Sequence, residues 1–373
     1  MSQASQETYS LEKPDPGKAI IAPNLPYQPR DPQTYRPRIG LIACGGITAT
    51  HLRAYKNAGY DVAVLCDLNR DRAEKRQAEF YPDADITTDY RDVLGRDDIA
   101  VVDIATHPQE RLPLLEAALR ARKHVLSQKP FVLNLDDGER LCDLADAMGV
   151  RLAVNQNGRW APHFSYMREA VRSGLIGDVL GVHVAVHWDH TGFKNTPFED
   201  IDDLVLYDFA IHWFDFVSTI LGGRTATRVS ALRSRALHQE MRPPMLASAL
   251  VEFPGGQSSL VFDAHTRFGS LDTTYIAGSH GSLSSVGPNL GKQTLTLYTA
   301  DGTASPELSG TWFPDGFHGT MAELLCAIEE NRQPTNNVRE NLRSLALCFA
   351  AIASAHDGTP KNVGEVRTLP GYK

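Results

Sequence analysis

The stretch Ile39-Gly-Leu-Ile-Ala-Cys-Gly-Gly-Ile47 combines a short apolar run, a glycine pair and the start of an amphipathic helix. A second apolar run ends on Asp67, 21 residues after Gly46. A strand, a glycine turn, a helix and a second strand that ends on a carboxylate form the layout of a dinucleotide-binding βαβ unit. Gly45 and Gly46 allow the backbone to approach a pyrophosphate, and the free N–H groups from Ile47 onward face its negative charge. The stretch therefore predicts an α/β fold with a Rossmann domain.

The glycine turn departs from the usual fingerprint at two positions. Ala43 stands where its first glycine is expected, and Thr48 stands at the third. The carboxylate of Asp67 is placed to accept hydrogen bonds from the ribose hydroxyls and to repel a 2′-phosphate, which favours NAD. Arg70, three residues later, keeps NADP open as the alternative cofactor.

The bulk composition excludes several classes of partner. A formal net charge of −8 without a basic stripe argues against nucleic acid and against an anionic membrane surface. No apolar run reaches the roughly 18 residues of a membrane helix, and the N-terminus lacks the pattern of an export signal. Five widely spaced cysteines without a Cys-x-x-Cys pair are typical of reduced thiols. We therefore expect a cytoplasmic protein.

A chain of 373 residues predicts about two domains, and its texture changes along the sequence. Residues 1–36 form a proline-rich arm with almost no apolar periodicity. This arm is either a disordered tail or a strap across a neighbouring subunit, and the apolar patch Ala19-Ile-Ile-Ala22 favours the strap. Residues 37–156 alternate apolar strands with helical patterns, which predicts a parallel sheet covered by helices on both faces.

Residues 157–373 predict a second domain of α+β class with a mostly antiparallel open sheet. Leu180–Asp189 alternates apolar and polar residues, as a half-buried strand does. Met245–Phe253 and Gln257–His265 form a predicted hairpin. Because helices are expected on only one face of this sheet, the other face needs a partner. We therefore expect a homodimer or a homotetramer.

Two groups of residues carry potential chemistry beyond the glycine turn. Thr106-His107 and Gln128-Lys129-Pro130 each follow a predicted strand directly, at the sheet edge where the nicotinamide half of a dinucleotide would lie. Asp208 and His212 stand four residues apart on a predicted helix that is apolar on nearly all sides. A carboxylate and an imidazole in such surroundings need a partner or a purpose, which makes both candidates for a site.

A metal site is the alternative use of the nearby histidines, because His183, His187, Asp189 and His190 crowd one segment. On a strand that rises roughly 3.3 Å per residue, His183 and His187 stand about 13 Å apart, too far to share one ion. We therefore expect no metal.

The order of these motifs resembles the Gfo/Idh/MocA family of sugar and cyclitol oxidoreductases, from about Arg38 to near the C-terminus, with only the arm uncovered. The segments that carry the resemblance are the glycine turn Ile39–His51, the loop Ala105–Pro108, the motif Lys123–Pro130, the turn Asn157–Pro162 and the Asp-x-x-x-His helix Asp208–His212. The residues then expected to contact the cofactor, besides the glycine turn, Asp67 and Arg70, are Thr106, His107, Gln128, Lys129 and Trp160. Those expected to contact the substrate are Lys129, Arg159, Asp208, His212 and His318.

Three positions depart from the family's usual residues. Gln128 replaces the glutamate before Lys-Pro, Arg111 replaces a histidine, and Ala210 replaces a glycine between Asp208 and His212. Without a carboxylate at position 128, Lys129 loses a nearby charge that would favour its protonated form. This change puts the family's usual substrate in doubt.

The resemblance and the residue chemistry together predict an NAD-dependent dehydrogenase that oxidises a hydroxyl of a monosaccharide or polyol. The carbon-bound hydrogen leaves as a hydride to the nicotinamide, while a protein group removes the hydroxyl proton. A histidine is suited to accept that proton near neutral pH, so the base is either His212 or Lys129. Asp208 orients the imidazole or binds a neighbouring hydroxyl, and Lys129 stabilises developing negative charge on the reacting oxygen. His212, Lys129 and Asp208 are thus the expected catalytic residues.

Two other functions stay open within the family. The first alternative is a glucose–fructose-type oxidoreductase, which holds its cofactor permanently. The proline-rich arm resembles that of this group, although no export signal is present. A non-catalytic dinucleotide sensor is the second alternative. Retention of Lys129, Asp208 and His212 together argues against a sensor, since a sensor needs no proton-handling groups.

Overall fold

The first part of the chain alternates strands and helices as the sequence predicts. A computed structural model describes residues 17–371. Its N-terminal elements are β1 (Arg38–Ile42), α1 (Thr48–Asn57), β2 (Asp61–Cys66), α2 (Arg70–Phe80), β3 (Asp85–Thr87), α3 (Tyr90–Leu94), β4 (Ile99–Ile104), α4 (Pro108–Arg120), β5 (His124–Gln128), α5 (Leu135–Met148) and β6 (Leu152–Asn155). Asn69 and Asn134 cap α2 and α5, because each side chain accepts a hydrogen bond from the backbone N–H two residues later.

Six parallel strands form the first sheet in the order β3-β2-β1-β4-β5-β6. The near-continuous apolar runs of β1, β2 and β4 are buried, as strands covered on both faces require. The strand order reverses between β1 and β4, which opens a crevice at their carboxyl ends. The predicted Rossmann architecture is therefore confirmed, and the crevice lies beside the glycine turn.

The second part of the chain builds a sheet of nine strands with helices on one face. Its elements are α6 (Pro162–Arg172), β7 (Val179–His187), α7 (Ile211–Ile220), β8 (Arg228–Ser234), β9 (Leu246–Phe253), β10 (Gly256–Asp263), β11 (Leu271–Gly278), β12 (Gly281–Asn289), β13 (Lys292–Thr299), β14 (Gly302–Ala304), α8 (Asp315–Glu329), α9 (Val338–Asp357) and β15 (Lys361–Asn362). Short turns of 3-10 helix cover Asn157–Trp160, Thr191–Phe193 and Pro197–Asp200, and Val205–Phe209 is π-helical.

The nine-stranded sheet has the order β14-β13-β12-β11-β7-β10-β9-β8-β15 and is antiparallel except between β7 and β10. The prediction of a mostly antiparallel sheet is confirmed. Along β7 the valines face the helices, while His183 and His187 face outward and are hydrogen-bonded to Ser259 and Asp263 on β10. The outward side, here called the open face, exposes the apolar side chains of Leu180, Leu232, Leu250, Tyr275, Val286 and Tyr298.

Helix α8 crosses the boundary expected at residue 156. Phe317, Met321, Leu324 and Leu325 pack into the same apolar cluster as β1 and α1 of the first sheet. The core of the Rossmann domain is therefore completed by a helix from the last sixth of the chain. Among residues 17–371, no helix has both the length and the apolarity to cross a membrane.

The described part of the arm, residues 17–36, packs on its own chain. The backbone of Ile20 donates to the carbonyl of Thr303 at the edge of the second sheet. Near its end, the backbone N–H groups of residues 33–35 donate to the carboxylate of Glu329 at the end of α8. A strap across a neighbouring subunit stays a prediction, since these contacts lie within one chain while Ile21 projects outward. Pro14 and Pro16 lie outside the described residues.

Ala43 lies in the left-handed backbone region, with φ of +77°. We expect Ala43→Gly to stabilise the protein by up to about 1 kcal/mol, because this conformation costs an L-residue about 1–2 kcal/mol and the freedom of glycine in the unfolded chain cancels part of the gain. Urea denaturation measures the change. Ala78→Gly on the exposed side of α2 is the control and should destabilise by about 1 kcal/mol. A loss of stability in Ala43→Gly would contradict the left-handed backbone conformation at residue 43.

Candidate active site

The glycine turn between β1 and α1 leaves room for a ligand. A Cβ atom added to Gly45 or Gly46 would meet no atom within 4 Å, and neither residue adopts the left-handed backbone region. Neither packing nor backbone conformation therefore requires glycine at these positions, whereas close approach of a pyrophosphate does. Ile47, predicted to begin the anion-binding helix, is the residue immediately before α1. The residues present therefore fit a dinucleotide.

The side chains of Thr48 and Arg76 hold the glycine turn through its carbonyl groups. The hydroxyl of Thr48 donates to the carbonyl of Gly45 at 2.7 Å, and Nη2 of Arg76 donates to the same carbonyl at 2.9 Å and to that of Gly46 at 3.4 Å. Thr48 thus has a role of its own at the position of the third glycine. No sequence pattern indicated this contact of Arg76, because an arginine within a charged helix has many possible partners.

Asp67 lies at the end of β2 with its carboxylate fixed. One oxygen accepts the backbone N–H of Cys44 at 2.7 Å, and the other accepts that of Asn69 at 2.9 Å. The carboxylate therefore ties the end of β2 to the glycine turn, and its remaining lone pairs are available to ribose hydroxyls. Arg70 instead pairs with Glu74 along the exposed side of α2, at 2.8 Å.

Lys129 and Asp208, 79 residues apart in the chain, form an ion pair. The ammonium of Lys129 lies 3.1 Å from a carboxylate oxygen of Asp208 and 2.9 Å from its backbone carbonyl. The π-helical turn Val205–Phe209 places both groups toward Lys129, just before α7 begins. Position 128 carries no carboxylate, and Asp208 supplies one beside Lys129.

His212 lies in the first turn of α7, with the edge of its ring toward Trp312 at a centroid distance of 5.3 Å. Its Nδ1 atom is buried and has no hydrogen-bond partner among the residues that the structure describes. Burial, together with the positive charge of Lys129, holds the pKa of His212 well below its usual value. The imidazole is therefore neutral at physiological pH, which is the form that accepts a proton.

The two loops at the nicotinamide side are joined by Arg111. Its guanidinium donates to the carbonyl of Thr106 and, across the crevice, to the carbonyls of Gln128, Pro130 and Phe131. The side chain is fully buried, and burial lowers the pKa of Arg111 to about 10. The sequence marked this residue only as a departure from the family. Its contacts were not predictable, because the two loops are brought together by the sheet.

An aromatic wall adjoins Asp208 and was not predicted. His190 stacks on Phe209 with ring centroids 4.0 Å apart, and Phe193 contacts Phe209 at 5.5 Å. Phe193 also packs on Phe198, which contacts His107 of the nicotinamide-side loop. The wall therefore connects the turn that carries Asp208 with the nicotinamide-side loop that carries His107. Burial lowers the pKa of His190 to about 4, so the wall carries no positive charge at neutral pH.

Arg159 and His318, expected to bind substrate, have other partners. The guanidinium of Arg159 is bidentate to the buried carboxylate of Asp215, at 2.6 and 2.7 Å. The imidazole of His318 is hydrogen-bonded to Asp31 of the arm at 2.8 Å. Substrate contact stays a prediction for both residues, and in the single chain a buried bidentate pair and an arm contact occupy the groups concerned.

Trp160 packs against α8. A Cβ atom added to Gly319 would lie 2.2 Å from the indole, and the guanidinium of Arg168 stands 5.7 Å from the ring centroid on another side. The tryptophan is buried, so its large contact area fixes α8 on the chain segment that follows β6. Its contact with a cofactor stays a prediction.

Comparison with known proteins agrees with this geometry. Residues 37–156 match the oxidoreductase family with an NAD-binding Rossmann fold, and residues 164–284 match the GFO/IDH/MocA C-terminal domain. The chain is 26% identical to D-apiose dehydrogenase of Paraburkholderia graminis over 338 residues, which cover 85% of this chain and 87% of that protein. It is 29% identical to inositol 2-dehydrogenase of Gluconacetobacter diazotrophicus over 214 residues, covering 56% of this chain and 62% of that protein.

Solved structures share the fold. An oxidoreductase from Agrobacterium radiobacter, in complex with NAD+, L-tartaric acid and magnesium, superposes with a TM-score of 0.79 at 21% identity, over 88% of this chain and 99% of that one. Together the two matched regions span the glycine turn, the Lys129 loop and the Asp208–His212 turn. The chain therefore belongs to the Gfo/Idh/MocA family of NAD-binding oxidoreductases.

Proposed function

We propose that the protein is an NAD-dependent dehydrogenase that oxidises a hydroxyl-bearing carbon of a monosaccharide or polyol. The observation that carries the proposal is the Lys129–Asp208 ion pair beside a neutral His212, at the same sheet edge as the glycine turn. One cation, one carboxylate and one free base are the groups that removal of a hydroxyl proton requires. NAD, when bound, supplies the acceptor for the hydride.

Each of the three residues has a distinct role in this proposal. The lone pair of the neutral His212 accepts the hydroxyl proton, and the ammonium of Lys129 donates a hydrogen bond to the same oxygen as negative charge develops. Asp208 accepts hydrogen bonds from the ammonium of Lys129 with both its carboxylate and its backbone carbonyl, and so holds the direction of that side chain. Lys129 in turn holds the pKa of His212 down. We favour His212 over Lys129 as the base, because Nδ1 of His212 has no hydrogen-bond partner among the described residues, whereas the ammonium of Lys129 is paired with Asp208.

The substrate is expected to be a compact uncharged sugar. The aromatic wall formed by His190, Phe193, Phe198 and Phe209 offers apolar faces without positive charge, and the ammonium of Lys129 is already paired. The names of the relatives, D-apiose dehydrogenase and inositol 2-dehydrogenase, support this class of substrate. Asp67, fixed at the end of β2, supports NAD over NADP.

We also propose that the open face is an interface between subunits of a homodimer or homotetramer. Its apolar side chains, among them Leu232 and Leu250, are 69% and 62% exposed in the single chain. An apolar sheet surface of this kind is rarely left in water. The five cysteines are all unpaired and buried, which supports a reducing compartment such as the cytoplasm.

The catalytic assignment is tested by measuring NADH formation with a panel of aldoses, polyols and cyclitols. We expect at least one neutral sugar to be oxidised, and Lys129→Met and His212→Asn to lower kcat about 100-fold, the usual effect of losing an acid–base group. Lys75→Met, an exposed lysine of α2, is the matched control and should act as wild type. Near-normal turnover of both site variants would refute the assignment.

The cofactor cradle is tested by Gly46→Ala. The added methyl group meets no protein atom, so the thermal midpoint without cofactor should stay unchanged. It would occupy the space of the pyrophosphate, and the Kd for NAD measured by calorimetry should rise at least about tenfold. Gly291→Ala, in the turn between β12 and β13, controls for the general effect of a methyl group. Unchanged NAD affinity in Gly46→Ala would place the dinucleotide elsewhere.

The interface is tested by light scattering on the full chain. We expect a dimer or tetramer for the wild type and dissociation in Leu250→Arg, because a charge buried in an apolar interface is costly. Leu68→Arg, at a leucine that is 92% exposed and lies after β2, is the control and should leave the mass unchanged. A monomeric wild type would rule out this assembly.

A further inference from the structure

A buried polar network lies directly behind Lys129 and takes no part in the proposed proton transfer. It consists of His51 and Tyr55 on α1, Asp103 on β4, Gln128 on β5 and Asn155 on β6. All five side chains are buried. Polar groups at this depth are costly unless each has a defined partner, so their arrangement constrains the backbone that carries them.

The side chain of Gln128 connects this network to Lys129. Its amide oxygen accepts the backbone N–H of Lys129 at 2.7 Å, which fixes the orientation of the amide. The amide nitrogen then faces Nε2 of His51 at 3.1 Å, and the amide nitrogen of Asn155 faces the same atom at 3.2 Å. Amide nitrogens only donate, so Nε2 of His51 must accept. His51 is therefore a neutral imidazole with its proton on Nδ1, donated to Asp103 at 2.7 Å.

Charge balance explains why a neutral residue stands at position 128. Asp103 is a buried carboxylate that accepts from His51 and, at 2.6 Å, from Tyr55. Arg111 is the buried cation within the electrostatic reach of Asp103. A carboxylate at position 128 would add a second buried negative charge next to Nε2 of His51. The imidazole would then take up a proton, because two carboxylates would flank it.

Arg111 holds the other side of the same loop. Its guanidinium donates to the carbonyls of Gln128, Pro130 and Phe131, and to that of Thr106 in the facing loop. The backbone around Lys129 is thus held at three points. Its own N–H donates to the side chain of Gln128, and the carbonyls of Gln128 and Pro130 on either side accept from Arg111. A histidine, the family's usual residue here, has two ring nitrogens and cannot donate to four carbonyls.

We propose that Arg111 and Gln128 are positioning residues for Lys129, which together fix the lysine loop against Asp208 and keep His51 neutral. This inference rests on the proposed role of Lys129, and the first experiment below has a readout that does not need activity.

The first test is Gln128→Glu, which preserves the shape of the side chain. The titratable groups that face His51 are Asp103 and Tyr55, and its other neighbours are Gln128, Asn155 and Phe317. Nitrogen NMR of labelled histidine, with His51 assigned by a His51→Asn variant, should show a neutral ring in the wild type across neutral pH. In Gln128→Glu the ring should be cationic at low pH and lose its second proton over a range that the resonances define, because a carboxylate then replaces the amide that donates to Nε2.

The kinetic consequence has a definite sign. In Gln128→Glu a cationic His51 satisfies both carboxylates at low pH, and its loss of a proton leaves the new carboxylate against a lone pair. The variant should therefore show a fall in kcat/KM as pH rises through the same range, with no such step in the wild type. If the His51 resonances of Gln128→Glu match those of the wild type, the protonation of His51 does not depend on residue 128. The proposal is then wrong, whether or not the enzyme oxidises a sugar.

The second test is Arg111→Lys, which keeps the positive charge but removes the planar fork. We expect kcat to fall at least about tenfold while the Kd for NAD stays within about twofold, because the glycine turn is not touched. Arg120→Lys, on the exposed last turn of the same helix α4, is the matched control. A kcat equal to that of the wild type would overturn the role of Arg111. If Arg111→Lys does not fold, the Gln128→Glu spectra alone decide.

Discussion

The ion pair between Lys129 and Asp208 is the contact on which the candidate site depends. It joins the last residues of a Rossmann strand to the turn that precedes α7, so it also fixes the position of one domain against the other. Both side chains are largely buried, so each charge needs the other as a partner. Burial and the charge of Lys129 together hold the pKa of His212 well below its usual value, so the pair also contributes to the neutral state of the imidazole.

Parallel strands explain why the other candidate residues gather at one place. The carboxyl ends of β1, β2, β4 and β5 lie at a single sheet edge, and each is followed at once by a residue of the site. Many of the hydrogen bonds there involve backbone groups. Asp67 binds two N–H groups, and Arg111 binds carbonyls of two loops, so that side chains hold the loops and the loops present the site.

The sequence predicted the parts that depend on local pattern. Apolar runs predicted five of the six strands of the first sheet and missed the short strand β3, while Asn69 and Asn134 marked helix starts. It did not locate β12, whose glycine, serine and proline residues have low strand propensity and which forms by pairing with β11 and β13. Nor did it reveal the partners of Arg159 or Arg111, because those contacts join residues far apart in the chain.

The position of α8 has a consequence for how the chain matures. Synthesis delivers residues 38–155 early, yet the apolar surface that α8 covers stays open until residue 329 has been made. The arm, which emerges first, must wait for Glu329 before its last residues can dock. The end of the arm and the end of α8 therefore dock on each other only after both have been made. A nascent or prematurely terminated chain would present an unfinished Rossmann core to chaperones and proteases, however complete its strands.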